Sequence, residues 1–294
     1  WHIFLSALPA FISIVALVVV ISVVSNHFLT RSFIAPIEQV ANNLDNLDKV
    51  TVYKEMQPFV TTIKKQHDDI IKNAIMRQEF TANVSHELKT PLTAISGYSE
   101  LIKNGMAGSE DIGRFANEIY TNANRLLTLI NDIINLSELD RGAPLEYEDV
   151  DISEIAGNCV SMLDFHAKEN QVTLHFDGEK TIVRGNKNKL EEVVYNLCDN
   201  AIRYNKPGGE VWVTVKNTPE GKILSVRDNG IGISKENQKR IFERFYRVDK
   251  SRSKKTGGTG LGLAIVKHII EQHNFNIEVI SDENTGTTIN VIMK

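Results

Sequence analysis

His86 and Glu87 stand side by side, a nucleophile next to a carboxylate, with Thr90 one turn further along the same helical face and Pro91 after it. Three chemistries fit His-Glu-Leu-Lys-Thr. A zinc motif of the His-Glu-x-x-His kind needs a second histidine where Thr90 stands, so zinc fails. An inert surface histidine is the ordinary reading of an isolated His. The third is a nucleophile: a neutral imidazole accepts a phosphoryl group, and a neighbouring carboxylate can orient the ring and take its proton. Pro91 removes a backbone donor and predicts a bend or loosening of the helix there.

Four later stretches suit nucleotide chemistry, each with a plainer explanation beside it. In Asn196-Leu-Cys-Asp-Asn200-Ala-Ile-Arg203-Tyr204, Asn196, Asn200 and Arg203 share one helical stripe. Two carboxamide oxygens there could meet Mg2+ and a guanidinium could meet phosphate, or the stripe is the polar face of a surface helix. Asp228-Asn-Gly230-Ile-Gly232-Ile233 puts a carboxylate at a strand end, able to accept from an adenine amino group, with glycines that let backbone approach the ring. Asp-Asn-Gly alone is a common turn. Ile241-Phe-Glu-Arg-Phe-Tyr-Arg247, followed by Lys250 and Arg252, reads as aromatic anchors for a loop whose cations reach a γ-phosphate, or as an apolar cluster with a basic tail. Gly258-Thr259-Gly260-Leu261-Gly262-Leu263 opens a helix, where backbone amides make an anion site. Its spacing is G-x-G-x-G with no Lys-Ser/Thr after it, which is neither a P-loop nor a dinucleotide fingerprint.

These residues need elements to carry them. Ile3 to Val24 is 22 residues without a charge, about 33 Å of helix at 1.5 Å per residue. A signal peptide needs a basic leader and a shorter apolar run, and a buried soluble helix would show a polar face that this stretch does not have. Arg31, Lys54, Lys64 and Lys65 follow, which by the positive-inside rule puts the C-terminal bulk in the cytoplasm and Trp1 at the outer interface. From Phe28 to Gln66, Ile34, Ile37, Val40, Leu44 and Leu47, then Phe59, Val60 and Ile63, recur at helical spacing and mark a coupling segment. Two amphipathic stretches come next, one holding Val84, Leu88, Leu92, Ile95 and Ile102, the other Ile112, Phe115, Ile119, Leu126, Ile130 and Ile133. Asn104–Gly108 supplies the turn between them, and Ser109 or Asp111 is expected to cap the second helix. One hairpin cannot bury both seams, so self-association into a four-helix bundle, a homodimer, follows. His86 lies about 200° around the helix from Val84 and Leu88 and so faces solvent.

Beyond Asp140–Pro144 the pattern changes. Helices at Ile152–Lys168, Lys187–Tyr204 and Leu261–Gln272 alternate with β-rich runs at Val172–Phe176 and Thr181–Val183. A hairpin of Val211–Val215 with Ile223–Val226 and two terminal strands complete an α/β sandwich. The formal net charge of −4 offers no basic face for nucleic acid. Cys159 and Cys198 have no metal-like spacing and read as buried thiols in a reducing compartment.

Phe80-Thr-Ala-Asn-Val-Ser-His-Glu-Leu-Lys-Thr-Pro-Leu-Thr93 closely resembles the H box of the HisKA family of histidine kinases. The four later stretches, in this order, resemble the N, G1, F and G2 boxes of the GHKL ATPases in their histidine-kinase branch, and residues 28–66 resemble a HAMP linker with a short connector lacking the usual Gly. The resemblance implies a multidomain sensor kinase: a transmembrane helix (1–27), a HAMP-like or degenerate linker (28–66), an all-α dimerisation and phosphotransfer hairpin (67–142) and a Bergerat-type ATP-binding domain (146–294). It implies that ATP phosphorylates His86 with Glu87 as general base, that the phosphoryl group passes to an aspartate of a response-regulator receiver domain, and that Thr90 places a water for dephosphorylation of that regulator. It further implies Mg2+ on Asn200 and Asn196, Arg203 on phosphate, Tyr204 against adenine, Asp228 reading the adenine amino group, and Arg247 positioning the γ-phosphate. Gly230, Gly232, Ile233, Lys250, Arg252, Gly258, Thr259, Gly260, Leu261, Gly262 and Leu263 complete the nucleotide pocket. Arg203 stands where Lys is commoner and Asn186 where Asp is often found, without loss of an essential group. A serine-directed kinase or DNA-remodelling ATPase would lack the His86 helix, and an inert scaffold would be expected to lose Asn200, Asp228 or the glycines. A phosphatase-dominant protein shares every motif.

Overall fold

The structure, a computed structural model, describes residues 2–34, 37–38, 54–142, 145–219, 221–248 and 258–293. Trp1, Val40, Leu44, Leu47, Pro144, Lys250 and Arg252, and with them much of the HAMP-like segment, lie outside the described residues. The chain forms two compact units, Trp1–Thr81 and Ala82–Lys294.

In the first unit, α1 (His2–Leu29) accommodates Pro9, with the Ser13 hydroxyl donating to the Pro9 carbonyl at 2.8 Å, and passes into a π-helical turn, Thr30–Ile34. Its apolar side chains from Leu8 to Leu29 are exposed. Among the described residues, Ala7–Ser32 is the one helical stretch long and apolar enough to cross a membrane. A short 3-10 turn, Lys54–Met56, leads into α2 (Gln57–Lys103), whose later part belongs to the second unit.

In the second unit, α2 continues as α-helix through Pro91 to Lys103. The Thr90 hydroxyl bonds the His86 carbonyl at 3.2 Å just before the proline. The turn at Asn104–Gly108 leads into α3 (Ser109–Asp140). The expected cap at Ser109 or Asp111 is corrected: the N-cap is Gly108, extended and without a side-chain bond, while Glu110 and Asp111 lie in the first turn, where carboxylates favour the positive end of the helix dipole. Tyr98 packs its ring 5.2 Å from that of Phe115 across the hairpin.

The rest is an α/β sandwich built from β1 (Glu148–Asp151), α4 (Ile152–Glu169), β2 (Val172–Gly178), β3 (Ile182–Gly185), α5 (Lys187–Arg203), β4 (Gly209–Thr218), β5 (Gly221–Asp228), a short α6 (Lys235–Gln238), α7 (Gly262–Gln272), β6 (Asn276–Asp282) and β7 (Gly286–Met293). Five strands run in the order β2-β4-β5-β7-β6, parallel only between β2 and β4, and β1 pairs with β3 in a separate ribbon. Alternation sets the layers: Val211, Val213 and Val215 of β4, Leu224 and Val226 of β5, and Ile289, Val291 and Met293 of β7 are buried beneath the helices. Their neighbours face outward, where Trp212 is covered by the stacked ring of His175 and by Arg227. Cys159 of α4 and Cys198 of α5 are free thiols, both buried.

The motif helices start where they do for local reasons. Asp151 caps α4, its Oδ1 accepting from Ser153 N at 3.0 Å and from Thr181 N at 3.1 Å. Asn186 caps α5 through Lys189 N at 3.0 Å, so the departure from Asp at this position keeps the capping oxygen.

Candidate active site

His86 is exposed on the second-unit part of α2, as its angular position predicts. Glu87 beside it is half-buried, its Oε2 3.4 Å from Arg125 of α3 and 3.8 Å from Arg247. The carboxylate next to the candidate nucleophile thus sits between two guanidiniums, one from the hairpin and one from the candidate nucleotide loop. Arg247 is nearly buried, which pulls its guanidinium below the ordinary value, against the opposing pull of Glu87.

The nucleotide motifs converge in three dimensions although they are spread over 68 positions, from Asn196 to Leu263. On α5, Asn196 and Asn200 both face the start of α7: a Cβ on Gly262 would stand 2.7 Å from Asn196 Oδ1 and 3.8 Å from Asn200 Nδ2. A side chain at 262 would push the Asn196 amide aside, so the third glycine of G-x-G-x-G leaves Asn196 its present position. Asn196 Nδ2 donates to the Glu192 carbonyl at 2.9 Å, which fixes the amide plane and turns Oδ1 toward the loop. Arg203 is held by Asp199 at 2.5 Å. Tyr204 is half-exposed at the end of this helix, with its hydroxyl 3.6 Å from where a Cβ on Gly258 would lie.

Asp228 ends β5 and is buried. Its Oδ1 accepts from Gly230 N at 2.9 Å and Thr287 N at 3.2 Å. Burial pushes its carboxyl above the ordinary range, while the two amides oppose that rise. Both amides fall on Oδ1, and Oδ2 takes part in neither bond. Gly232 adopts φ +66°, and a Cβ there would collide with the Asp282 carbonyl at 2.0 Å. Ile233 N donates to Ser281 Oγ at 2.8 Å, which pins the turn to β6. Phe245 N donates to the Gly260 carbonyl at 2.9 Å, joining the aromatic motif to the glycine motif, and Leu261 is fully buried behind them.

The sandwich also rests on α3. Leu136 and Leu139 are buried, the Leu139 carbonyl accepts from His268 at 3.0 Å and Gln272 at 3.1 Å, and Arg244 meets Asp140 at 2.7 Å. Lys189 reaches Asn135 Oδ1 at 2.5 Å, Asn135 donates to Glu192, and Thr259 donates to Asp132 Oδ2 at 2.6 Å. Sequence reading missed Arg125, Asp132, Asp199 and Ser281. Asp199 lay four residues from Arg203 and was legible as its partner; the other three act across elements and leave no local signal.

The donor set suits Mg2+ held partly by phosphates, because it offers two neutral carboxamides and no carboxylate cage. No group of three or more His, Cys, Asp or Glu poised to hold a metal occurs among the described residues.

Two family models match. "His Kinase A (phospho-acceptor) domain" covers residues 76–142, and "Histidine kinase-, DNA gyrase B-, and HSP90-like ATPase" covers residues 185–294. The sensor-like histidine kinase SenX3 of Mycolicibacterium smegmatis is 39% identical over 226 residues, 75% of this chain and 59% of that protein. The heme sensor protein HssS of Staphylococcus saprophyticus is 33% identical over 303 aligned positions, all of this chain and 64% of that protein. The chain therefore spans about three fifths of the length of these curated relatives. Among solved structures, the Acinetobacter baumannii histidine kinase AdeS aligns with a TM-score of 0.59 at 24% identity, over 71% of this chain and 97% of that one. ThkA in complex with the response regulator TrrA aligns with a TM-score of 0.62 at 21% identity, over 78% and 65%. At these identities the two structures support the fold.

Proposed function

The chain belongs to the sensor histidine kinases of two-component systems, and on that premise we propose that it uses ATP to phosphorylate His86 and passes the phosphoryl group to an aspartate of a response regulator. The observation that carries this reading is the grouping of an exposed His86, its carboxylate neighbour Glu87 and the nucleotide-loop cation Arg247 on one folded unit.

The roles follow from placement. Asp228 offers Oδ2 to the adenine amino group, and Tyr204 and Ile233 flank the base. Asn200 and Asn196 are the residues that would hold Mg2+, which supplies neutralisation of phosphate charge when bound. Arg203 and Arg247 supply positive charge for the phosphates, and the Gly258–Leu263 loop supplies backbone amides at the start of α7. Lys250 and Arg252, outside the described residues, add two cations close by in sequence. Glu87 orients the imidazole and takes its proton as the ring attacks the γ-phosphorus. Ala7–Ser32 anchors the chain in the cell membrane with the later domains in the cytoplasm, and the exposed seams of the hairpin are closed by a second copy of the chain.

A phosphatase-leaning output is the second reading, favoured by one observation: Thr90 is exposed one turn from His86. The decisive experiment incubates the full chain in detergent micelles with γ-labelled ATP and Mg2+, beside His86→Ala. Acid-labile, base-stable label on the unaltered chain alone supports the kinase reading. Label that survives in His86→Ala rejects the site. Thr90→Ala is expected to slow loss of phosphate from the regulator while leaving labelling of His86 intact.

A further inference from the structure

With Arg203 read as a cation for phosphate, we propose that His166 of α4 is a positioning residue for the triphosphate, acting through Asp199 on Arg203. The starting observation is a bond that is set up and not made. His166 Nε2 stands 3.6 Å from Asp199 Oδ1, beyond the roughly 3 Å of a normal hydrogen bond. Both atoms are buried, and neither has a hydrogen-bond partner among the described residues. Buried polar atoms are as a rule satisfied, because an orphan carries its full desolvation cost. Here a ring nitrogen able to donate faces a carboxylate oxygen, and narrowing the gap by roughly half an ångström satisfies both at once.

The elements hold the pair in register. On α4, Leu163 and Ala167 flank His166 and are buried, and this helix packs against α5. Asn170, the C-cap of α4, donates its Nδ2 to the His166 carbonyl at 2.8 Å, which fixes the turn that carries the ring. On α5, Asp199 stands one turn before Arg203, and its Oδ2 accepts from Arg203 Nε at 2.5 Å. The two carboxylate oxygens thus have separate tasks: Oδ2 orients the guanidinium, and Oδ1 is turned toward α4.

A fully exposed pair one turn apart on a helix orders its arginine only weakly. The Asp199 side chain is 15% exposed, and a donor on Oδ1 fixes its carboxylate plane and, through it, the arc open to Arg203. A guanidinium ordered in advance loses less freedom when phosphate arrives. A neutral imidazole with its proton on Nε2 is sufficient for this. The inference rests on the proposed function and extends the site to α4, which carries none of the motif residues.

The test separates phosphates from base. The full chain in detergent micelles is titrated by calorimetry with Mg2+ and AMP-PNP, and separately with adenosine. The proteins compared are the unaltered chain, His166→Phe, His166→Gln, Asp199→Ala and the double variant of His166→Phe with Asp199→Ala, and a thermal melt verifies that each is folded. His166→Phe keeps a ring and removes the donor, so AMP-PNP is expected to bind about three- to tenfold more weakly. His166→Gln keeps a donor at similar reach and should bring AMP-PNP back to within about twofold of the unaltered chain. Adenosine should bind all of them alike. In the double variant the change at His166 should add nothing to Asp199→Ala, because the ring acts only through that carboxylate. Unchanged AMP-PNP affinity in His166→Phe overturns the proposal, as does a His166→Gln protein no better than His166→Phe. Equal weakening of adenosine, or additive losses in the double variant, also overturns it, since His166 would then serve the fold and not Arg203. Arg203→Ala is the control on the premise. Unchanged AMP-PNP affinity in that variant, or failure of the unaltered chain to bind either probe, rejects the nucleotide reading itself and the inference with it.

Discussion

His273 ties the C-terminal end of α7 to the start of α5 with an imidazole that has no place for a second proton. Its Nδ1 donates to the Ile269 carbonyl at 2.8 Å and its Nε2 accepts from Asn186 N at 3.0 Å, with Tyr147 and Phe275 packed on the ring. Burial pulls its pKa below the ordinary histidine value. The sign follows from that depression: above about pH 6.5 both folded and unfolded chains hold the neutral ring and the stabilisation is complete. As pH falls below that point the unfolded chain takes a proton that the folded chain refuses, and stability is lost until the folded value is reached. The thermal midpoint should therefore drop between pH 7.5 and 5.5, and His273→Phe should flatten that slope while lowering the midpoint at pH 7.5. Asp228 gives a second prediction at this scale. Asp228→Ala removes the acceptor proposed for the adenine amino group and strands the amides of Gly230 and Thr287, so nucleotide affinity measured by calorimetry should fall by tenfold or more, about 1.4 kcal/mol or above.

Among the elements, α3 serves two partners with two faces. Leu129, Leu136 and Leu139 are buried, whereas Leu127, Ile130 and Ile134 lie exposed on a separate stripe, as does Leu92 of α2. An apolar stripe of that length in water calls for a cover, and the HisKA match supports a second copy of the chain as that cover. Ile134→Glu places a charge in the seam and should convert the dimer to monomer in light scattering after size exclusion. For α4, the cap is the sensitive point. Asp151→Ala leaves the amides of Ser153 and Thr181 without their acceptor, and a loss of about 1–2 kcal/mol is expected in denaturant unfolding of the soluble part.

For the whole molecule, an exposed apolar helix stands beside a folded unit that carries both family domains. The exposed apolar surface of Ala7–Ser32 should hold the full chain in the detergent phase of a phase-separation assay, and a chain beginning after Arg31 should move to the aqueous phase.

The sequence by itself determined the elements and the chemistry of their motifs. Apolar spacing marked α2, α3 and the strands, because burial of one face dictates a period of 3.6 or 2. His86, Asn196, Asn200 and Asp228 were legible because each sits in a contiguous run where residue types and local geometry go together. Lys250 and Arg252 were read the same way, and lie outside the described residues. Where a contact joins elements distant in the chain, no local period records it, and only the tertiary structure decided it. That is why β1 pairs with β3. It is also why Glu87 lies between Arg125 and Arg247, and why a carboxylate from α3 closes on Thr259.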